Sequence, residues 1–186
     1  MKKMTTLVAA AFTAAALFIG TTTASAQSTP RGKWRFGIGV EGLLPTGNLK
    51  DISSFGLGVS PRLQYGLADN LALTITSGYN GYFGKEIGNT GVDYKSYGLV
   101  PAKVGIKAFI SQNVYLSGEL GAAFETSGFG EVKGGPDYDT NTKFLASPGI
   151  GWANQSWDVG VRYENYTGQS NNFGTVGLRI AYGFGL

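Results

Sequence analysis

The last stretch of the chain, Phe173-Gly-Thr-Val-Gly-Leu-Arg-Ile-Ala-Tyr-Gly-Phe-Gly-Leu186, alternates with a period of two. Val176, Leu178, Ile180, Tyr182, Phe184 and Leu186 form one face, all apolar. Thr175, Gly177, Arg179, Ala181 and Gly183 form the other, small or polar. Neighbouring side chains of a β-strand point to opposite faces, so this pattern predicts a strand and not a helix. The same alternation recurs upstream over Lys33–Leu43, Phe55–Leu67, Leu71–Phe83, Tyr97–Ile110, Val114–Glu125, Phe144–Trp152 and Trp157–Tyr166. Eight antiparallel strands are predicted in all.

The connections between them alternate as well. Ala68-Asp-Asn, Ser111-Gln-Asn and Asn154-Gln-Ser are tight turns after the second, fourth and sixth strands. Longer polar stretches follow the first, third, fifth and seventh; Pro45-Thr-Gly ends the first strand in this reading. Short turns at one end and long loops at the other are the asymmetry of an up-and-down barrel.

The apolar face carries aromatics in two bands. Trp34, Phe36, Tyr65, Trp152, Trp157, Tyr182 and Phe184 fall at the turn end of their strands. Phe55, Tyr79, Phe83, Phe124, Phe144 and Tyr163 fall towards the loop end. Girdles of this kind mark the two interfaces of a membrane barrel. A soluble barrel with an apolar interior would hold its aromatics inside and its charges outside. Here parity turns the charges inward: Arg35, Arg62, Lys103, Lys107, Arg162 and Arg179, with Glu41, Glu119, Glu125, Asp158 and Glu164. The interior of an eight-stranded barrel is just wide enough for side chains to fill. Charges held there must be paired and hydrogen-bonded. The Ser111 turn sets Gly105 opposite Glu119, which predicts Lys103 and Lys107 flanking that carboxylate, with Arg162 and Arg179 at similar depth. Pro61, Pro101 and Pro148 interrupt strands of a sheet that has no free edge, so bulges or broken ladders are expected at each.

Composition then separates the N-terminus from the rest. Lys2 and Lys3 precede an apolar run from Leu7 to Gly20, and Ala24-Ser-Ala26 is a small-residue cleavage site. This is the form of a secretory signal peptide over residues 1–26. A run of 14 residues is short of the ~20 needed to span a bilayer. Residues 27–32 read as a polar tether and 33–186 as the barrel. Without the signal, 13 basic residues face 12 acidic ones. The basic balance of the whole chain therefore carries no nucleic-acid argument. Cysteine and histidine are both absent. There is no disulfide framework, and histidine general-base chemistry is unavailable.

The alternation of Val176–Leu186, with the segments Phe55–Phe83 and Tyr97–Phe124, resembles the small eight-stranded outer-membrane β-barrels of the OmpX and OmpA-barrel type. The resemblance extends over the whole chain after the signal. It implies a cell outer membrane location with both termini periplasmic, a surround of membrane lipid and lipopolysaccharide, and a C-terminal strand read by the barrel-assembly machinery. In such proteins the last residue is commonly Phe; here Gly185-Leu186 follows Phe184. The fold carries many roles and does not by itself assign one.

Two motifs have bland readings. Gly37-Ile-Gly-Val-Glu-Gly42 matches a dinucleotide fingerprint, but it lies within a strand and no helix follows. Asp137-Tyr-Asp-Thr-Asn141 has the opening spacing of a calcium loop, but Thr142 stands where glycine is required and Pro148 where the closing glutamate would be. No enzyme activity, cofactor or metal is expected. The expected role is structural, adhesive or surface-interacting, around a side-chain-filled polar lumen. The alternative is a narrow channel for small or hydrophobic solutes, which would need an unfilled lumen or a lateral gap.

Overall fold

A computed structural model describes residues 29–88, 90–168 and 171–186. The signal-peptide segment and the first two tether residues lie outside the described residues. The strands are β1 (Trp34–Gly47), β2 (Ser53–Ala68), β3 (Leu71–Ser77), β4 (Tyr79–Gly84), β5 (Tyr97–Phe109), β6 (Val114–Glu125), β7 (Thr142–Ala153), β8 (Trp157–Thr167) and β9 (Phe173–Gly185), with a short helix α1 (Leu49–Ile52) between β1 and β2. All pairings are antiparallel, and β1 pairs with both β2 and β9, so the sheet closes on itself. β3 and β4 are two halves of one crossing, because both hold the same register against β2 and against β5. The architecture is a closed barrel of eight crossings.

The division of that third crossing has a physical cause. Pro61 on β2 and Pro101 on β5 flank Gly78, and proline has no N–H to donate to a ladder. On the β2 side the pairing stops at Arg62↔Thr76 and resumes at Val59↔Tyr79. On the β5 side it stops at Ser77↔Ala102 and resumes at Asn80↔Leu99. Pro148 interrupts the β7–β8 ladder in the same way, between Ala146↔Asn165 and Gly149↔Arg162. None of the three introduces a register shift, so the expected bulges are absent there and the expected broken ladders are what occurs. The shifts lie instead near the ends of β2, at Ser53–Phe55 and Gly66–Ala68. The wall remains tight at the break: a Cβ on Gly78 would lie only 3.0 Å from the Cα of Ser60. The outward Ser77 hydroxyl donates to the Pro101 carbonyl at 3.0 Å.

Several boundaries differ from the sequence reading. Pro45 does not end β1. The strand runs on to Gly47, paired with β9 alone beyond Leu43, and a strand with one free side tolerates proline. α1 follows, with Leu49 and Ile52 buried. β7 begins at Thr142, two residues early, which places Lys143 inside. The segment read as a tether is docked at its described end: Gly32 N–H donates to the Gly66 carbonyl at 2.8 Å.

Parity sorts the side chains as the alternation requires. Ile38, Val40, Val59, Val104, Ile150 and Ile180 are exposed on the outside, at 42–61%. Among the described residues no helix is long and apolar enough to cross a membrane. The exposed aromatics form rings at two levels. Trp34 meets Tyr65 at 4.7 Å, Trp157 meets Tyr182 at 5.3 Å and Tyr182 meets Phe184 at 5.0 Å around the turn end. Trp152 pairs with Val114 and Phe36 with Phe184 at that level. At the other level Phe55 pairs with Phe83, and Phe124 and Phe144 stand exposed on neighbouring strands.

Candidate functional site

The lumen and its loop-end mouth hold the chemistry-bearing residues. Seven cationic side chains on the strands are buried, Arg35, Arg62, Lys103, Lys107, Lys143, Arg162 and Arg179, with five carboxylates, Glu41, Glu119, Glu125, Asp158 and Glu164. Glycines on the same face leave them room: a Cβ on Gly39 would lie 2.8 Å from Nε of Arg179.

Glu119 sits at the centre, opposite Gly105 in the register expected from the turn. It accepts hydrogen bonds from Arg62 Nη2 at 3.2 Å, Thr76 at 2.6 Å and Thr74 at 3.2 Å, and Lys103 lies 3.5 Å away. Lys107 does not flank it. Its ammonium is paired with Asp158 and stands 4.1 Å over the Tyr115 ring. The curl of the barrel brings Arg62, three crossings from Glu119 around the wall, nearer than the diagonal neighbour on β5. Lys103 also reaches Glu164 at 2.6 Å, and Arg162 bridges Glu164 (2.9 Å) and Glu41. Arg179 donates to the Ser60 hydroxyl at 3.0 Å, which in turn donates to Glu41 at 2.5 Å. Arg35, near the turn end, donates to the Asn154 carbonyl at 2.8 Å. Glu125 and Lys143 pair at 3.3 Å near the loop end.

Above this polar layer the mouth is apolar. Leu43, Leu49, Tyr82, Tyr97, Leu99, Leu145 and Tyr166 are all 0–1% exposed and, with Phe173, form one cluster. Phe129, from the β6–β7 connection, stacks on Phe173 at 5.8 Å and meets Tyr97 edge-on at 5.4 Å. Tyr166 also stacks on Phe173, at 4.7 Å. Buried hydroxyls find partners at the junction with the polar layer. Tyr97 donates to Glu125 and Tyr166 to Glu164, each at 2.6 Å. The result is a plug of rings and aliphatic groups seated on an ion-paired layer.

The connections over the plug are tied together. Tyr94 bridges Val132, with Lys95 N–H donating to the Glu131 carbonyl and Lys133 N–H to the Asp93 carbonyl. Glu131 is 3% exposed. Its carboxylate accepts from Gly128 N–H at 2.7 Å and Tyr138 N–H at 3.0 Å, and pairs with Lys95 at 2.9 Å. The Lys95 ammonium and these amides hold the Glu131 carboxyl below the usual carboxylate range. The carboxylates of Asp137 and Glu131 push the Lys95 ammonium up. A carboxyl with a lowered folded pKa stabilises the fold above its ordinary pKa, and that contribution is lost as pH falls through the lowered value. Glu131→Gln keeps an acceptor oxygen but loses the charge and the Lys95 pair, and should therefore weaken the hold on the Gly128 and Tyr138 amides at neutral pH. Their hydrogen exchange should rise roughly tenfold, as charge-assisted bonds become neutral ones, while β-strand amides stay unchanged. In wild type the same rise should appear only in acid, below the ordinary range for glutamate. Equal exchange in both proteins at neutral pH would remove Glu131 as the tie.

Sequence reasoning placed most of the lumen charges but missed Lys143, Glu131 and the plug. Strand parity carried a signal for Tyr82, Tyr97, Tyr115 and Tyr166. Nothing in periodicity marks Glu131, whose partners are backbone amides of its own loop. The calcium-like stretch is part of that loop, where Asp137 is paired with Lys95 at 2.8 Å. Among the described residues no group of three or more acidic side chains could hold a metal.

No family model and no curated protein matches the sequence. Solved structures do. The crystal structure of Ail, the attachment invasion locus protein of Yersinia pestis, superposes with a TM-score of 0.58 at 16% identity, covering 83% of this chain and 99% of that one. Ail in complex with the heparin analogue sucrose octasulfate gives 0.54 at 17% identity, with 83% and 99% covered. The N-terminal β-barrel domain of OprF from Pseudomonas aeruginosa gives 0.55 at 11% identity, with 81% and 97% covered. At these identities the likeness is one of fold, and it joins the closed eight-crossing sheet, the outward apolar belt and the inward charges in one conclusion: the chain has the fold of the small eight-stranded outer-membrane β-barrels.

Proposed function

We propose that this protein is an integral outer-membrane barrel whose role is to present its ordered loop surface to a partner, and that its lumen is a structural core and not a conduit. The first described residues and the end of β9 lie at the turn end, which faces the periplasm in this reading. The aromatic rings sit at the two lipid interfaces, with lipopolysaccharide around the loop end, and β9 carries the contact with the assembly machinery. The observation that supports the reading best is the plug: a ring-stacked apolar layer across the mouth, above a paired charge layer, leaves a solute no path. At Gly78 the broken ladder still keeps the strands in contact.

The loop surface has its own chemistry. Four lysines, Lys50, Lys85, Lys95 and Lys133, stand there against six carboxylates, Asp51, Glu86, Asp93, Glu131, Asp137 and Asp139, and Lys95 and Lys133 are already engaged by three of these. A polysulfated ligand of the kind found on Ail would meet net repulsion, so the partner is a protein or glycan surface without dense negative charge. Refolded protein in planar bilayers should show little steady conductance. Flux of small solutes through liposomes carrying it should match empty liposomes. A large steady conductance would overturn the closed-core reading and favour a channel.

A further inference from the structure

At the turn end the described chain begins inside the wall. Gly66 lies on the inward face of β2, opposite the buried Ala72 on β3. A Cβ built on Gly66 would lie 2.7 Å from the Pro30 carbonyl carbon and 2.9 Å from the Thr29 carbonyl oxygen. The Thr29–Pro30 backbone therefore crosses the lumen side of β2. Thr29 is wholly buried, whereas Pro30 and Arg31 are exposed. Gly32 N–H donates to the Gly66 carbonyl at 2.8 Å, Gly66 N–H to the Lys33 carbonyl at 3.1 Å, and Lys33 N–H to the Pro30 carbonyl at 3.0 Å. Gly32 makes the turn with a φ of 74°, a left-handed conformation natural to glycine. The register shift of β2 between Gly66 and Ala68 falls at the same place. One step deeper on the same face lie Gln64 and its cross-strand partner Arg35, 2% and 1% exposed.

We propose that Thr29–Gly32 is a releasable stopper that closes the turn end of the lumen against water. The loop end has its plug of rings. At the turn end Phe109 and Tyr115 pack with Ala153 and cover one side. On the β2–β3 side the inward positions are Gly66 and Ala72, too small to fill the opening, and there the segment lies. Ion pairs keep their strength where water is excluded, so the network around Glu119 and Asp158 gains from closure at both ends. The hold on the stopper is modest. It is tied to β2 through backbone alone, and Thr29 Oγ1 and Gln64 Oε1 are buried without a hydrogen-bond partner. Unpaired buried polar atoms favour the state in which water reaches them. With the leader cut after Ala26, two residues precede Thr29, so the stopper is a chain end that leaves without unfolding a strand. The proposal rests on the closed-core reading and adds a second closure to it.

The chain has no cysteine, so single thiols report without background. Chains beginning at Gln27 and carrying Thr29→Cys, Gln64→Cys or the exposed Arg31→Cys are refolded in detergent micelles. Their rates of reaction with a charged methanethiosulfonate reagent are compared. The first two should react roughly a hundredfold more slowly than the third, because they open only when the stopper leaves. Gly66→Ala sets a methyl group against the Pro30 carbonyl and should expel the segment. Added to each, it should bring Thr29→Cys and Gln64→Cys close to the rate of Arg31→Cys, while migration on gels stays heat-modifiable. Thr29→Cys reacting as fast as Arg31→Cys without Gly66→Ala would overturn the proposal. So would Gly66→Ala that leaves both thiols protected, or Gln64→Cys that stays protected once Thr29→Cys is free. If Gly66→Ala does not fold, deletion of residues 27–31 takes its place and Gln64→Cys alone decides. Labelling reads the turn end and conductance reads the whole lumen, so either reading can fail without the other.

Discussion

Glu119→Gln should lower the stability of the refolded barrel by about 3–5 kcal/mol, the usual cost of removing one partner of a buried ion pair. The side chain keeps its size, so packing is not the cause. What changes is the charge facing Arg62 at 3.2 Å and Lys103 at 3.5 Å, both buried. Gln can still accept from Thr76, but its amide hydrogens now point into a site filled with donors. Lys103 retains Glu164, so the deficit falls mainly on Arg62, whose remaining carboxylate, Asp158, is 3.8 Å away. Urea unfolding in lipid vesicles, read by tryptophan fluorescence, would measure the loss. A change below about 1 kcal/mol would mean that water reaches the network and screens it.

Ile180→Arg should hinder insertion, with a cost of about 2–4 kcal/mol for a cation near the bilayer midplane of a barrel. Ile180 is 42% exposed on the outside of β9, between Val40 on β1 and Val159 on β8. It lies below the loop-end aromatics and above Tyr182 and Phe184, too deep for the guanidinium to reach either interface easily. Gly177→Ala is the control on the lumen side. A Cβ there would lie 3.3 Å from Leu43 and 3.6 Å from Arg162, contacts that a small shift relieves. Folding yield into vesicles, read by heat-modifiable migration on gels, should drop sharply for the first and little for the second. Equal yields would mean that the outer face does not meet lipid.

Both predictions rest on parity, and parity was legible in the sequence because a strand allows only two side-chain directions. Glu119 could be set opposite Gly105 from the length of a single turn. Its true cation could not: Arg62 reaches it across the curl of the barrel, and register between sequential strands says nothing of that distance. Register sets Lys107 beside Glu119 for the same reason, whereas in the fold it pairs with Asp158. The plug was hidden differently. Tyr82, Tyr97 and Tyr166 are inward by parity, but an aromatic inside a charged lumen has no periodic signature. Its closure depends on Phe129 and on α1, both in connections where alternation stops. Pro45 misled because proline is a strand breaker only where both sides of the strand are paired.

The prolines beside Gly78 bear on how the cylinder yields. The seam that closes it, β1 against β9, holds thirteen successive pairs from Arg35↔Gly185 to Gly47↔Phe173. The third crossing is seven residues and six residues joined at Gly78, which pairs with neither neighbour. Strain that widens the barrel will therefore not part it where the chain ends meet. It will concentrate at the breaks halfway down the wall, at Gly78 and beside Pro148, so breathing of the wall and the first steps of its rupture belong to the middle of the membrane and not to its rims.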